Sequence, residues 1–245
     1  MTVILVQSPK GGTGTTFLTA QLALHLAGKG YEVNALDCTF QDSLKMHFGF
    51  MPAQAVPEWG AGGGEPLVAF GVNVLQGHGQ SRSAAFAARV ESELERIFDS
   101  GHMWVVDVAS EDRHLLELLT PRCALHICPL LPTAASLATL NRLSETAPAM
   151  KLDRTVFVLN QLDDRQKLSR HSHSFVRDLF GDQLLATIRR DEAVNEALAR
   201  FELISKYAPT SAALQDLRLF ADAVEERIGL TPVTGEANIE VTGDA

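Results

Sequence analysis

The chain has 245 residues, 46% of them hydrophobic, and a formal charge of −9. That length and apolar share suffice for one α/β domain with a sizeable core, while no run approaches the 18 or so apolar residues needed to cross a bilayer and no secretory leader is visible. The acidic balance argues against broad, unspecific adhesion to phosphate backbones, which depends on clustered Lys and Arg, and leaves only local basic patches open.

Short apolar runs alternate with longer amphipathic ones, the pattern of a single-domain α/β fold with a mostly parallel sheet covered by helices on both faces. In chain order, a strand at Val3–Val6 leads to a helix at Thr16–Ala27, and a strand at Glu32–Leu36 to the Pro- and Gly-dense stretch Met51–Pro66, which reads as a long loop. Trp59 in that loop is either a partner contact or, the favoured reading, folded back onto the body. Strands at Val72–Leu75 and Trp104–Val108 bracket a helix at Ala84–Phe98, and a helix at His114–Leu119 precedes a strand at Ala124–Cys128. Helix Ala134–Ala147, strand Thr155–Leu159, helix Gln166–Phe180, strand Leu184–Ile188 and helices Glu192–Arg200 and Ala212–Ile228 complete a domain over residues 1–230. Residues 231–245 form a polar, acidic tail expected to fray. Cys38, Cys123 and Cys128 have neither ligand-like nor disulfide-like spacing, so a reducing compartment and a packing role are expected.

The stretch Ser8-Pro9-Lys10-Gly11-Gly12-Thr13-Gly14-Thr15-Thr16 lies between the first strand and the first helix. There a glycine-rich loop closes backbone N–H groups around phosphate oxygens. Against the standard G-x-x-x-x-G-K-[ST], Thr16 keeps the magnesium-ligating hydroxyl, Thr15 stands where the lysine belongs and Pro9 where the first glycine belongs. The bland alternative is a glycine-rich turn capping a helix without ligand. Polar residues then recur at the C-terminal ends of the apolar runs: Lys10, Asp37, Asp107, Asn160 and Arg189-Arg190. In an open α/β sheet those ends form the ligand crevice. Singly each reads as a strand-end cap; as a set they read as a site. Asn160-Gln161-Leu162-Asp163 also approaches the base-reading N-K-x-D of GTPases, with Gln in place of Lys, which keeps GTP as a minor alternative.

Lys10-Gly11-Gly12-x-Gly14-x-Thr16 resembles the deviant phosphate loop of the MinD/ParA class of nucleotide-switch ATPases. The resemblance implies a P-loop fold that binds ATP and Mg²⁺ through Lys10, Gly11, Gly12, Thr13, Gly14, Thr15, Thr16, Asn160, Arg189 and Arg190. It also implies a homodimer in which Lys10 reaches the partner's phosphates. Trp104-Val105-Val106-Asp107 resembles a Walker B strand, so Thr16, Asp107 and Asp37 are the expected metal residues, with Asn160 where the class contacts adenine. The class carries Asp-x-Asp-Pro-Gln-Gly-Asn after the second strand. Here the segment is Asp37-Cys38-Thr39-Phe40-Gln41-Asp42-Ser43, so Thr39 replaces the water-orienting aspartate and Asp42 is displaced by three residues.

Those departures, with the run Ile188-Arg189-Arg190-Asp191-Glu192-Ala193-Val194-Asn195-Glu196-Ala197-Leu198, resemble the BcsQ family of MinD-like proteins from bacterial cellulose-synthase operons. The resemblance covers most of residues 1–229. It implies a cytoplasmic protein, at most a slow ATPase, that reaches the inner-membrane cellulose secretion machinery through BcsR-like and BcsE-like partners. An active ParA-type positioning ATPase is the alternative, and a ligase-like or electron-transfer enzyme on the same fold a third reading. The helix Ala212–Ile228 carries Arg218 and Arg227 against Asp216, Asp222, Glu225 and Glu226, which argues against DNA. Leu230–Ala245 contains no Lys or Arg, so any membrane contact is expected through partners. His171 and His173 lack a third ligand and read as solvated surface.

Overall fold

A computed structural model defines residues 2–60, 65–140 and 152–230. Strand β1 (Thr2–Val6) runs through the interior of an eight-stranded sheet and hands over through the glycine-rich loop to helix α1 (Thr15–Gly28). The chain then moves outward through β2 (Val33–Asp37), β3 (Leu67–Ala69) and β4 (Val72–Gln76). After helices α2 (His78–Ser81) and α3 (Ala84–Ile97) it returns as β5 (Met103–Asp107) between β2 and β1. Helix α4 (Arg113–Leu119) leads to β6 (Leu125–Leu130) on the far side of β1, and helix α5 (Ala134–Leu137) follows. Strand β7 (Thr155–Leu162), helix α6 (Lys167–Phe180), strand β8 (Leu184–Arg189) and helices α7 (Ala193–Ala199), α8 (Ile204–Tyr207) and α9 (Ala212–Ile228) close the domain. The sheet order is β3-β4-β2-β5-β1-β6-β7-β8, parallel throughout except for the β3–β4 pair. This is the expected α/β class.

Period-two alternation divides the core. Ile4, Val6, Val105 and Ile127 face a layer containing α1 and α9, whereas Val3, Leu5, Trp104 and Val106 face α3 and α4. With both faces covered, the central strands are apolar on both sides, which is why they read as continuous hydrophobic runs. Trp59 folds back, stacking on Phe98 at 5.1 Å between ring centroids with Phe86 and Trp104 beside it. Cys38, Cys123 and Cys128 are all buried free thiols, and burial pushes Cys128 up to about 12.

The expected helix Ala134–Ala147 is helical over Ala134–Leu137; residues 141–151 lie outside the described residues, as does the expected tail 231–245. Strand β3, helix α8 and the 3₁₀ turn Leu44–Phe48 are additions to the sequence reading. No helix among the described residues is long and apolar enough to cross a membrane.

Candidate functional site

Parallel register places the ends of β1, β2 and β5 level: Val6 pairs with Asp107, and Asp107 with Asp37. Beyond these ends opens a cleft of about 370 Å³, within the size range of small-molecule sites. Its floor is the phosphate loop. Gly12 and Gly14 adopt φ of +76° and +93°, conformations that turn successive backbone N–H groups toward one concavity. Gly14 caps α1, whose first turn carries no acidic side chain, so the helix N-terminus is open to an anion.

Lys10, Gly11, Gly12, Gly14, Thr15 and Thr16 line the cleft. Thr13 does not: its side chain is fully buried and its Oγ1 donates to the Lys10 carbonyl at 3.3 Å. Lys10 Nζ has no hydrogen bond or ion pair among the described residues and is free to meet a phosphate.

Beneath the floor, Thr16 Oγ1 donates to Asp107 Oδ2 at 2.6 Å, while Asp107 Oδ1 is buried without a hydrogen-bond partner among the described residues. Burial and the neighbouring Asp37 charge raise the Asp107 pKa, opposed by the Thr16 hydroxyl. A buried carboxylate oxygen that lacks a donor beside a hydroxyl fits a hydrated divalent cation, whose charge would favour the ionised form. Asp37 sits differently. Its Oδ1 accepts from Thr39 N at 2.8 Å and Thr39 Oγ1 at 2.6 Å, and its Oδ2 from Leu44 N at 3.0 Å. It organises the Thr39–Leu44 segment, and neither Asp37 nor Asp107 lines the cleft itself. Asp42 is held by buried Lys45, which also donates to Gln54 O at 2.8 Å.

On the other wall, Asn160 Nδ2 donates to Thr13 O at 2.8 Å and Asn160 Oδ1 accepts from Gln161 N at 2.9 Å. The amide clamps the phosphate loop to β7. Arg189 lines the cleft but is bound to Asp216 by two 2.8 Å contacts, Nε to Oδ2 and Nη2 to Oδ1. Arg190 has no side-chain partner among the described residues, its backbone N–H reaching Leu162 O at 2.8 Å. Asp163, the residue of the guanine alternative, is absent from the cleft lining. Hydrogen bonds from Arg165 lower its pKa to about 2. His171 is exposed and His173 half-buried on α6, and neither belongs to a metal-sized cluster among the described residues.

Cleft residues to which the sequence reading assigned no role include Phe17, His47, Ser110, Glu111, Val194, Asn195 and Leu198. The last three lie in the Arg-Asp-Glu-Ala run, whose periodicity already marked α7; Ser110 and Glu111 sit in a polar loop with no motif to reveal them.

Fold and cleft together define a P-loop-type nucleotide-binding domain with its site at the carboxyl ends of a parallel sheet. The model of the CobQ/CobB/MinD/ParA nucleotide-binding domain matches residues 4–204, and the chain belongs to that family. Solved relatives share the fold. Septum site-determining protein MinD of Pyrococcus horikoshii, in complex with Mg-ADP, superposes with a TM-score of 0.69 at 17% identity, covering 93% of this chain and 97% of that one. The MinC:MinD complex of Aquifex aeolicus gives 0.75 at 14% identity over 92% and 96%. A ParA family ATPase of Chlorobium tepidum gives 0.70 at 17% identity over 90% and 97%. No curated protein matches the chain.

Proposed function

We propose that this chain is an ATP-binding dimerisation module with weak or absent hydrolysis, acting as an assembly or regulatory factor for cellulose or related exopolysaccharide synthesis and secretion. The observation that carries the nucleotide part is the glycine cradle, with Gly12 and Gly14 at positive φ, that opens on the N-terminus of α1, while the unpartnered Lys10 ammonium is left for the dimer contact. Thr16 and Asp107 would hold Mg²⁺, and the ion would neutralise phosphate charge. The Mg-ADP in P. horikoshii MinD and the MinC bound to A. aeolicus MinD support nucleotide, metal and partner docking as family capacities. The polysaccharide role rests on the resemblance of the loop and of the Ile188–Leu198 run to BcsQ, with BcsR-like and BcsE-like proteins as the partners it implies.

Sedimentation with and without a non-hydrolysable ATP analogue, on protein freed of co-purified nucleotide, tests the module. An ATP-dependent dimer is expected, and an unchanged monomer at saturating nucleotide rules it out. Lys10→Ala should leave monomeric binding largely intact and weaken dimerisation, because each of two sites loses a charge-assisted contact of about 1.5–3 kcal/mol. The purified protein should bind neither duplex DNA nor bare vesicles at physiological salt. A positioning ATPase of ParA type fits the same fold, and a gene neighbourhood with a centromere-binding partner instead of a processive glycosyltransferase would favour it.

A further inference from the structure

Phosphoanhydride hydrolysis is accelerated by a group that orients the attacking water, and a carboxylate in that place can also accept its proton. The carboxylates near the phosphate loop are few, and most are already engaged. Asp107 is buried against Thr16, and both Asp37 oxygens already accept hydrogen bonds, Oδ1 from Thr39 and Oδ2 from Leu44. Asp42 is paired with Lys45. Of the two carboxylates that line the cleft, Asp191 accepts from Ser211 Oγ at 2.6 Å, Ala193 N at 3.0 Å and Ala212 N at 3.1 Å, which fixes it as a link between α7 and α9.

Glu111 is the exception. It is exposed on the β5–α4 loop, lines the same cleft as Lys10 and Gly11, and its carboxylate accepts only from Ser110 Oγ, at 3.1 Å, among the described residues. The loop is placed by contacts of its own. Ser110 O accepts from Gln7 Nε2 at 3.5 Å, Asp112 N donates to Ala109 O at 3.1 Å, and a methyl group on Gly11 would stand 3.7 Å from Ser110 Oγ. Glu111 therefore sits on a turn packed against the phosphate loop itself.

We propose that Glu111 is the catalytic carboxylate for nucleoside triphosphate hydrolysis in this cleft. The inference rests on the nucleotide reading above. A water oxygen bonds to the γ-phosphorus as the bond from that phosphorus to the β,γ-bridging oxygen breaks. The water's proton passes to the Glu111 carboxylate, and nucleoside diphosphate and phosphate leave. Thr39, which also lines the cleft, takes no part as a base, since its hydroxyl donates to Asp37.

Single-turnover hydrolysis of Mg-ATP by the purified full chain tests this, with ATP affinity and dimer fraction measured on the same samples. Glu111→Gln is expected to lower the rate by about 100-fold or more, the scale of acid–base assistance, with affinity within about twofold, dimer fraction unchanged and melting temperature unchanged. Glu111→Asp should recover part of the rate at the same affinity, which a purely structural role would not produce. Equal rates for wild type and Glu111→Gln, or a loss that tracks affinity or dimerisation, overturn the assignment. ATP binding with no turnover above a buffer blank overturns it while leaving the nucleotide reading intact. Failure of the wild type to bind ATP overturns both.

Discussion

At the scale of single residues, the site shows which carboxylates carry charge for function and which hold the scaffold. Asp107 is ionised only against burial and the Asp37 charge, so it costs stability as the pH rises from the ordinary carboxylate range through its raised folded value. Asp107→Asn keeps an acceptor for Thr16 and removes that charge. It should raise the melting temperature of the nucleotide-free protein by about 2–4 °C, roughly 1 kcal/mol in a chain of this size, and more at pH 8 than at pH 5. Mg-dependent ATP binding by the same variant should be lost; calorimetry of both properties checks the trade. Thr39 illustrates the opposite case. By the resemblance alone, installing an aspartate there would restore a water-orienting group. The structure puts Thr39 Oγ1 2.6 Å from Asp37 Oδ1, so a carboxylate at that position meets another carboxylate and gives up a donated hydrogen bond. Thr39→Asp should therefore destabilise the fold by about 1–3 kcal/mol in urea titration and leave turnover no faster than wild type.

Among the elements, β7 and α1 meet at one contact. Strand β7 runs past Leu159 through a register irregularity between Leu159 and Leu162, with Gln161 at φ +58°, and this irregularity aims Asn160 at the phosphate loop. A methyl group on Gly14 would lie 2.4 Å from Asn160 Nδ2. Gly14→Ala should cost about 1–2 kcal/mol for the left-handed backbone and about 1 kcal/mol more for the displaced Asn160 bond. Asn160→Ala alone should cost only the second amount. The double variant should then be less unstable than the sum by about 1 kcal/mol, because the second amount is lost once; chemical denaturation of all four proteins reads that coupling. The same elements show what sequence could disclose. The phosphate loop, the strand-end carboxylates and the sheet itself were legible because apolar runs and glycine spacing are local signals. The continuation of β6 through Leu130 was not, because Pro129 reads as a strand stop, yet it lies past Ile127, the last β6 residue paired with β1. Strand β3 was too short to stand out within a polar, glycine-rich context, and its pairing with β4 is a tertiary fact. The engagement of Arg189 by Asp216 and of Asn160 by Thr13 joins residues 27 and 147 positions apart, which no motif encodes.

For the whole molecule, two covered faces place polar groups in the sheet where water does not reach, and this gives folding a pH dependence. His126 on β6 is fully buried; its Nδ1 meets Thr155 Oγ1 at 3.1 Å, and its Nε2 has no hydrogen-bond partner among the described residues. Burial lowers its pKa to about 4. The unfolded chain, with an ordinary histidine near 6.5, binds a proton that the folded chain refuses between about pH 6.5 and 4. This residue therefore costs nothing above about pH 6.5 and subtracts stability as the pH falls below it, at about 1.4 kcal/mol per pH unit until the folded form also protonates. Asp107 slopes the other way, since its raised folded value makes the native state bind more protons than the unfolded state across the same window. Stability of the wild type alone would mix the two, so the informative quantity is a difference between variants. Urea titrations of wild type and His126→Gln at pH 7.5 and pH 5.0 should show the wild type losing about 2 kcal/mol more than the variant on acidification. Parallel losses would mean that His126 is protonated inside the fold, and that Thr155 and the sheet around it accommodate the charge.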